Sequence, residues 1–300
     1  MFSLSTSWNS GRHNEGVGLI KEIRLSGFDC IELGFSLTED IVRSILSEKE
    51  AGRIKVSSLH NMCPLPVGMG REHPSPDHHS LSSPDPVERK LAVCIAKNTI
   101  EWASKLGARA VILHAGRVCI KDRMRELALL SSDRGRFMEF RDSMIKERRD
   151  NAAGCLDNVA RSLEELIPYS KDKGVCLGVE NRYHYREIPL IDEFEILFSR
   201  FAPGELFYWH DVGHAEVFER LGFYPHMALL DKFAGRLLGV HLHDILGLME
   251  DHRPPGSGTF DFRRLKPYLR PDTIKVIEIH EPAGMEDVRS ASKFLSGIFS

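Results

Sequence analysis

The sequence contains fourteen histidines, and their positions matter more than their number. They fall, together with carboxylates, at the ends of short apolar runs. Glu32, His60, His114 and Glu180 close four of them. His210 with Asp211 and then His214, His241 with His243 and Asp244, and Glu278 with His280 close three more. These are the side chains that ligate divalent cations or move protons near neutral pH. A buried carboxylate with no partner costs on the order of several kcal/mol. A divalent cation is the economical partner, because two Glu, one Asp and several His offer the mixed oxygen and nitrogen donors that Mn²⁺, Mg²⁺, Co²⁺ or Zn²⁺ accept.

The elements that must carry these residues alternate regularly. Strand runs are expected at Phe2–Thr6, Phe28–Phe35, Lys55–Asn61, Ala108–Ala115, Val175–Asn181, Leu206–Asp211, Leu237–Asp244 and Thr273–His280. Each is followed by helical periodicity, as in Val17–Leu25, Pro86–Leu106 and Gly284–Phe299. Gly27, Gly107 and Gly174 stand just before strands, where a helix ends in a left-handed residue. Eight such units in 300 residues fit the α/β class, a single (β/α)8 TIM barrel over 1–300 whose active site lies at the C-terminal mouth of the strands. An open doubly wound sheet is the alternative. Against it, no G-x-G-x-x-G follows the first strand, and Gly16-Val17-Gly18 reads as a helix start.

Alternation then orients the polar residues. His241 and His243 share a face opposite Val240 and Leu242, Glu278 shares one with Ile274 and Val276, and Glu180 opposes Val175, Leu177 and Val179. Two stretches exceed what connection requires. The first, 62–86, holds six prolines with His73, His78 and His79, and reads as a long loop with solvated histidines. The second, 116–150, carries ten basic residues against seven acids, and reads either as a solvated helix face or as a lid over the mouth.

Composition narrows the function classes. Forty Lys plus Arg against forty-three Asp plus Glu give a net charge of −3, which offers no basic field for a polyanion and argues against nucleic acid as a partner. No apolar run approaches the roughly 20 residues of a membrane span, and the N-terminus lacks the order of a signal peptide, so a soluble, cytoplasmic chain is expected. Six widely spaced cysteines read as reduced structural thiols.

At these residues the sequence resembles the xylose isomerase-like TIM barrels, a family of sugar epimerases, ketose isomerases and inosose dehydratases, with endonuclease IV as a distant member. The motifs are Ile31-Glu32-Leu33, Leu59-His60, Leu113-His114-Ala115-Gly116, Val179-Glu180-Asn181, Asp211-Val212-Gly213-His214, His241-Leu242-His243-Asp244, Pro254-Pro255-Gly256-Ser257-Gly258 with Phe260-Asp261-Phe262, and Ile277-Glu278. Their order over nearly the whole chain makes the joint match specific. The resemblance implies a metal-dependent sugar, sugar phosphate or polyol isomerase or epimerase acting on a small polyhydroxylated carbonyl compound. It implies one divalent metal, Mn²⁺ first and Zn²⁺, Co²⁺ or Mg²⁺ as alternatives, held by Glu180, Asp211, His241 and Glu278. Glu180 and Glu278 inherit the catalytic acid/base roles. His214 would add a ligand or a substrate contact, and the family's dimers and tetramers allow a homo-oligomer.

Endonuclease IV is the rival reading, a multi-metal phosphodiesterase with further ligands after strands three, four and seven. His60 and His114 match the first two positions. Glu250 and His252 offer an acid-x-His pair at the third, with Glu in place of Asp. A second metal, with His243 among its candidate contacts, therefore stays open, as does a metal-binding barrel without turnover. The remaining candidates are substrate contacts: Glu32, Trp8 and Trp209 as a carboxylate and two stacking rings, and Arg182 for a phosphate or carboxylate.

Overall fold

The structure, a computed structural model, describes residues 1–71, 75 and 77–299. The expected strands form, each trimmed at one or both ends: β1 Ser3–Ser5, β2 Cys30–Leu33, β3 Lys55–His60, β4 Ala110–Leu113, β5 Cys176–Glu180, β6 Phe207–Asp211, β7 Leu237–Leu242 and, after an inserted hairpin β8 Asp244–Leu246 and β9 Glu250–Arg253, β10 Ile274–Ile277. Apart from that hairpin they pair in parallel and close on themselves in the order β1-β10-β7-β6-β5-β4-β3-β2. The open-sheet alternative is thereby excluded, and the fold is a (β/α)8 barrel.

Around the barrel, among the described residues, run α1 Gly16–Leu25, α2 Glu39–Glu50, α3 Pro86–Leu106, α4 Met124–Leu129, α5 Arg134–Asn151, α6 Cys155–Asp172, α7 Ile191–Arg200, α8 Val212–Arg220, α9 Met227–Phe233 and α10 Met285–Phe299. The local chemistry sets their ends. Asp85 caps α3 by accepting from the Val87 amide at 2.9 Å with Pro86 in the first turn, and Gly107, at φ +66°, closes it. After β7 a full helix is replaced by the β8–β9 hairpin and a short 3₁₀ turn, Phe262–Leu265. The Pro-Pro-Gly-Ser-Gly motif explains the change: the Asp244 carboxylate accepts from the amides of Ile245, Gly256, Gly258 and Phe260 at 2.9 to 3.1 Å, which curls the segment around it. A Cβ at Gly258 would lie 2.3 Å from Asp244 Oδ1.

Outward strand residues such as Ile31, Val111, Leu177, Val240 and Ile277 join the helices in the main core. Inside the barrel a separate layer of Ala110, Ile112, Trp209, Leu238 and Val276 forms the floor beneath the mouth. Trp209 can fill that space because its neighbours are small: a Cβ on Gly239 would sit 2.3 Å from the indole. The segment 116–150 forms α4 and most of α5. It does not stand as a solvated face throughout, since Met124, Leu127 and Met144 pack with Val217, Phe218 and Leu221 of the α8 region. Within it Arg148 is buried and paired with Glu193 at 2.7 Å.

Candidate metal centre

Four side chains converge above the Trp209 floor. Glu180 ends β5, Asp211 ends β6, His241 lies near the end of β7 and Glu278 follows β10 by one residue, and their donor atoms all lie within 4.8 Å of one another. His241 is the hinge of the group. Its Nε2 points to Glu32 Oε1 at 3.0 Å, while Nδ1 faces Glu180 Oε1 at 2.5 Å, Glu278 Oε2 at 3.1 Å and Asp211 Oδ2 at 3.6 Å. With Nε2–H committed to Glu32, Nδ1 is the atom offered to the group, the arrangement by which a carboxylate orients a ligating imidazole. Glu32 is itself held by Ser58 at 2.7 Å.

The charge balance shows what this geometry requires. Burial alone would neutralise His241, but Glu278, Glu32 and Glu180 hold its pKa well above the ordinary value. Burial opposes ionisation of Glu180, yet His241 and His114 keep it well below the carboxylate range. His214 and His243 likewise overcome burial at Asp211. Glu278 goes the other way, raised by burial and by Glu32 and Glu180 despite His241. Three carboxylates and one imidazole, buried and mutually in contact, form a donor set that fits a divalent cation in the place of the imidazolium proton. Asn181 braces Asp211 from below: its Oδ1 accepts from the Asp211 amide at 2.8 Å, and its Nδ2 donates to the Asp211 carbonyl at 2.9 Å.

Three further groups lie beside this one among the described residues; one of them, His252, Glu278 and His280, shares Glu278 with it. On the β3–β5 side are His60, His114 and Glu180, with Arg182 among them. On the β6–β9 side are Asp211, His214, His243 and His252. There His243 Nε2 meets both Asp211 oxygens at 3.0 Å while its Nδ1 accepts from the His252 amide at 2.8 Å. His214 Nδ1 donates to the Asn181 carbonyl at 3.0 Å. Gly213 permits the close approach, since a Cβ there would lie 2.1 Å from the His243 ring.

Several expectations need correcting. Trp209 and Trp8 do not line the mouth: Trp209 is the barrel floor, and Trp8 is fully buried with its indole N–H on the Ala283 carbonyl at 2.9 Å. Glu32 lies beneath the cavity and orients His241. Glu250 is exposed, because the hairpin register pairs it with Leu246 on the outer strand. The acid that joins His252 is Asp251, at 3.0 Å, within β9, where His252 takes φ +52°. Asp251 and Glu278 outweigh burial and lift His252 to about 9. Arg182 does line the mouth but is already engaged by Asp77, Glu180 and Glu187. His78 is exposed and His79 partly so, away from the mouth, while His73 lies outside the described residues.

Other mouth residues carried no sequence signal. A cavity of about 350 Å³, in the small-molecule range, is bounded by the histidines and carboxylates above and by Phe35, Asp77, Arg125, Tyr183, His184 and Glu187. Asp77 comes from the proline-rich loop, Arg125 from α4. Tyr183 is fixed by its hydroxyl on the Met249 carbonyl at 2.8 Å, edge-on to His214.

Comparison with known proteins agrees with this architecture. The family described as xylose isomerase-like TIM barrel matches residues 20–296. The uncharacterized protein y4fM of Sinorhizobium fredii is 24% identical over 207 residues, 69% of this chain and 56% of that protein. The chain spans between 50% and 62% of the length of the curated relatives it matches. Among solved structures, a D-tagatose 3-epimerase-like protein superposes with a TM-score of 0.69 at 18% identity, covering 99% of this chain and 96% of that one. A 3-keto-D-glucoside 4-epimerase from E. coli gives 0.69 at 17% identity, over 99% and 98%. At such identities the likeness shows the fold.

Proposed function

The chain belongs to the xylose isomerase-like TIM barrel family, and from that premise we propose that it is a divalent-metal-dependent sugar isomerase or epimerase that shifts a proton next to a carbonyl through an enediolate. The observation that carries the reading is the inward set of Glu180, Asp211, His241 Nδ1 and Glu278. These four would hold the cation, Mn²⁺ first, and Zn²⁺, Co²⁺ or Mg²⁺ would suit the same donors. When bound, the cation supplies Lewis-acid stabilisation of the negative charge that develops on the substrate oxygens.

The chain's own groups divide the remaining work. Glu180, held ionised by its cationic neighbours, is suited to take the proton from the substrate carbon, and Glu278, pushed toward its neutral form, to return one. Their different environments separate the roles of two like residues. Phe35 and Tyr183 give the cavity apolar walls for the carbon skeleton, while His60, His184 and His214 face it with polar ring atoms. Arg125 brings the 116–150 segment to the rim, where it serves as a lid. This lining suits the substrate class that the family resemblance implies, a small polyhydroxylated carbonyl compound.

The test is hydrogen exchange. Ketoses and aldoses incubated with the Mn²⁺-loaded chain in D₂O should gain deuterium at the carbon beside the carbonyl, and Glu180→Gln should lower the rate by about 10² or more. No exchange with any sugar of the panel would refute the reading. One feature favours the phosphodiesterase alternative, the Asp211, His214, His243 and His252 group as a place for a second ion. Turnover of an abasic-site DNA or a simple phosphodiester, with the sugars inert, would select it.

A further inference from the structure

One side-chain group of the mouth contains a permanent, non-titrating cation, the guanidinium of Arg182. Hydrogen bonding fixes the donor atoms of the His60, His114 and Glu180 group. His60 Nδ1 donates to the Asn61 carbonyl at 2.8 Å, which leaves Nε2 as a lone pair. His114 Nδ1 donates to Asp77 at 3.2 Å, and its Nε2 faces Arg182 Nη1, a group that can only donate, so this nitrogen presents a lone pair. Those lone pairs face Glu180 Oε2, at 3.9 Å from His60 and 3.0 Å from His114. Three acceptors thus converge with no donor among them, an arrangement that burial makes costly unless a cation or a strong donor stands between them.

Arg182 stands there. Its Nη1 donates to Glu180 Oε2 at 2.9 Å and to His114 Nε2, and its Nη2 donates to Asp77 at 3.2 Å and Glu187 at 3.1 Å. The side chain is 6% exposed, and a guanidinium keeps its charge at any working pH. A transition ion bonded to imidazole nitrogen and carboxylate oxygen needs those atoms at about 2.0–2.2 Å, and Arg182 is already in contact with two of them.

We propose that Arg182 is a built-in cation filling the His60–His114–Glu180 position, so that no divalent ion binds on this side of the mouth and Glu180 serves the central position alone. The inference rests on the metal-dependent function proposed above and deepens it. It also identifies why a residue pattern shared with multi-metal hydrolases need not bring their metal count: the charge that a second ion would supply at His60 and His114 is delivered by the chain itself.

The experiment is a count of bound Co²⁺ after equilibrium dialysis of the full chain, read by elemental analysis and by the visible absorption of the bound ion. Wild type and His60→Ala should hold the same number of equivalents. Arg182→Met should hold one more, and adding His60→Ala to it should remove the extra one. A folded Arg182→Met with no gain would overturn the proposal, as would a wild-type count that drops in His60→Ala. If Arg182→Met does not fold, the wild-type and His60→Ala pair decides alone. A wild type that binds no Co²⁺ at all would instead refute the metal-dependent function, and a gain in Arg182→Met would still support the role of the guanidinium.

Discussion

The two sides of the mouth are built from the same residue types and end in different states. On the β3–β5 side, His60, His114 and Glu180 surround the fixed charge of Arg182, with Asp77 and Glu187 holding that guanidinium from outside. On the β6–β9 side, His214, His243 and His252 surround Asp211, and the added residue is an acid, Asp251. One side is closed by a permanent guanidinium, and the other carries only titratable groups. In the proposed reading, ligand-type side chains at strand ends mark where a cation would bind, and the residue beside them would decide how many ions are taken.

The largest effect expected is at Glu180, the residue shared by the β3–β5 group and the central four-residue group. Glu180→Gln should lower turnover by about 10² or more and also loosen Arg182, whereas Glu278→Gln should lower turnover on the same scale and leave Arg182 in place. Steady-state rates with thermal unfolding of both variants separate the two. Equal rates to wild type in both would remove them from the mechanism.

Next in size is Glu32. Because it orients His241 from below the cavity, Glu32→Gln should weaken metal affinity by about 10–100-fold with KM little changed at saturating metal. A raised KM with unchanged metal affinity would return Glu32 to the substrate.

The pH response distinguishes the metal-free from the loaded chain. Glu180 and Asp211, held below their ordinary values, contribute stability that is present above about pH 4 and lost as pH falls through their folded values. His241, raised, contributes stability present below about pH 6.5 and lost as pH rises through its folded value. Calorimetry with chelator should show melting temperature falling at both ends, and saturating metal should remove the alkaline loss. A cation in the place of the His241 proton would make affinity rise with pH by about tenfold per unit while that proton is exchanged. A pH-independent affinity would place the ion elsewhere.

The smallest contrast is within the hairpin. Asp251→Ala should lower the pKa of His252 from its raised value, readable by NMR titration, and Glu250→Ala should leave it unchanged.

Much of this was legible in the sequence because the barrel imposes it. Apolar strand bodies with polar ends, and left-handed glycines at Gly107 and Gly174, locate the strands and the mouth. Two-residue alternation puts His241 and His243 on the inner face together, where both lie. What alternation leaves open is height. Trp209 is on the inner face, as its register requires, but Gly178 and Gly239 beside it let the indole fill the floor instead of reaching the rim. Glu32 is outside the cavity lining and is held by Ser58 and His241. Loop residues are less legible still. Asp77 stands in a proline-rich stretch with no periodicity, and its place follows from the need of buried Arg182 for carboxylates. Asp251 takes the place expected of Glu250 because the β8–β9 register shifts between Asp244 and Leu246 and His252 adopts a positive φ, neither of which the sequence pattern marks.

The central claim is the cation held by Glu180, Asp211, His241 and Glu278, and anomalous scattering from crystals grown with Mn²⁺ tests it most directly. The account predicts a peak bounded by these four side chains, with His241 Nδ1 toward it and Nε2 on Glu32, and no peak between His60 and His114. A chain that crystallises with that position empty in excess Mn²⁺, or with the ion bound only elsewhere, would contradict it.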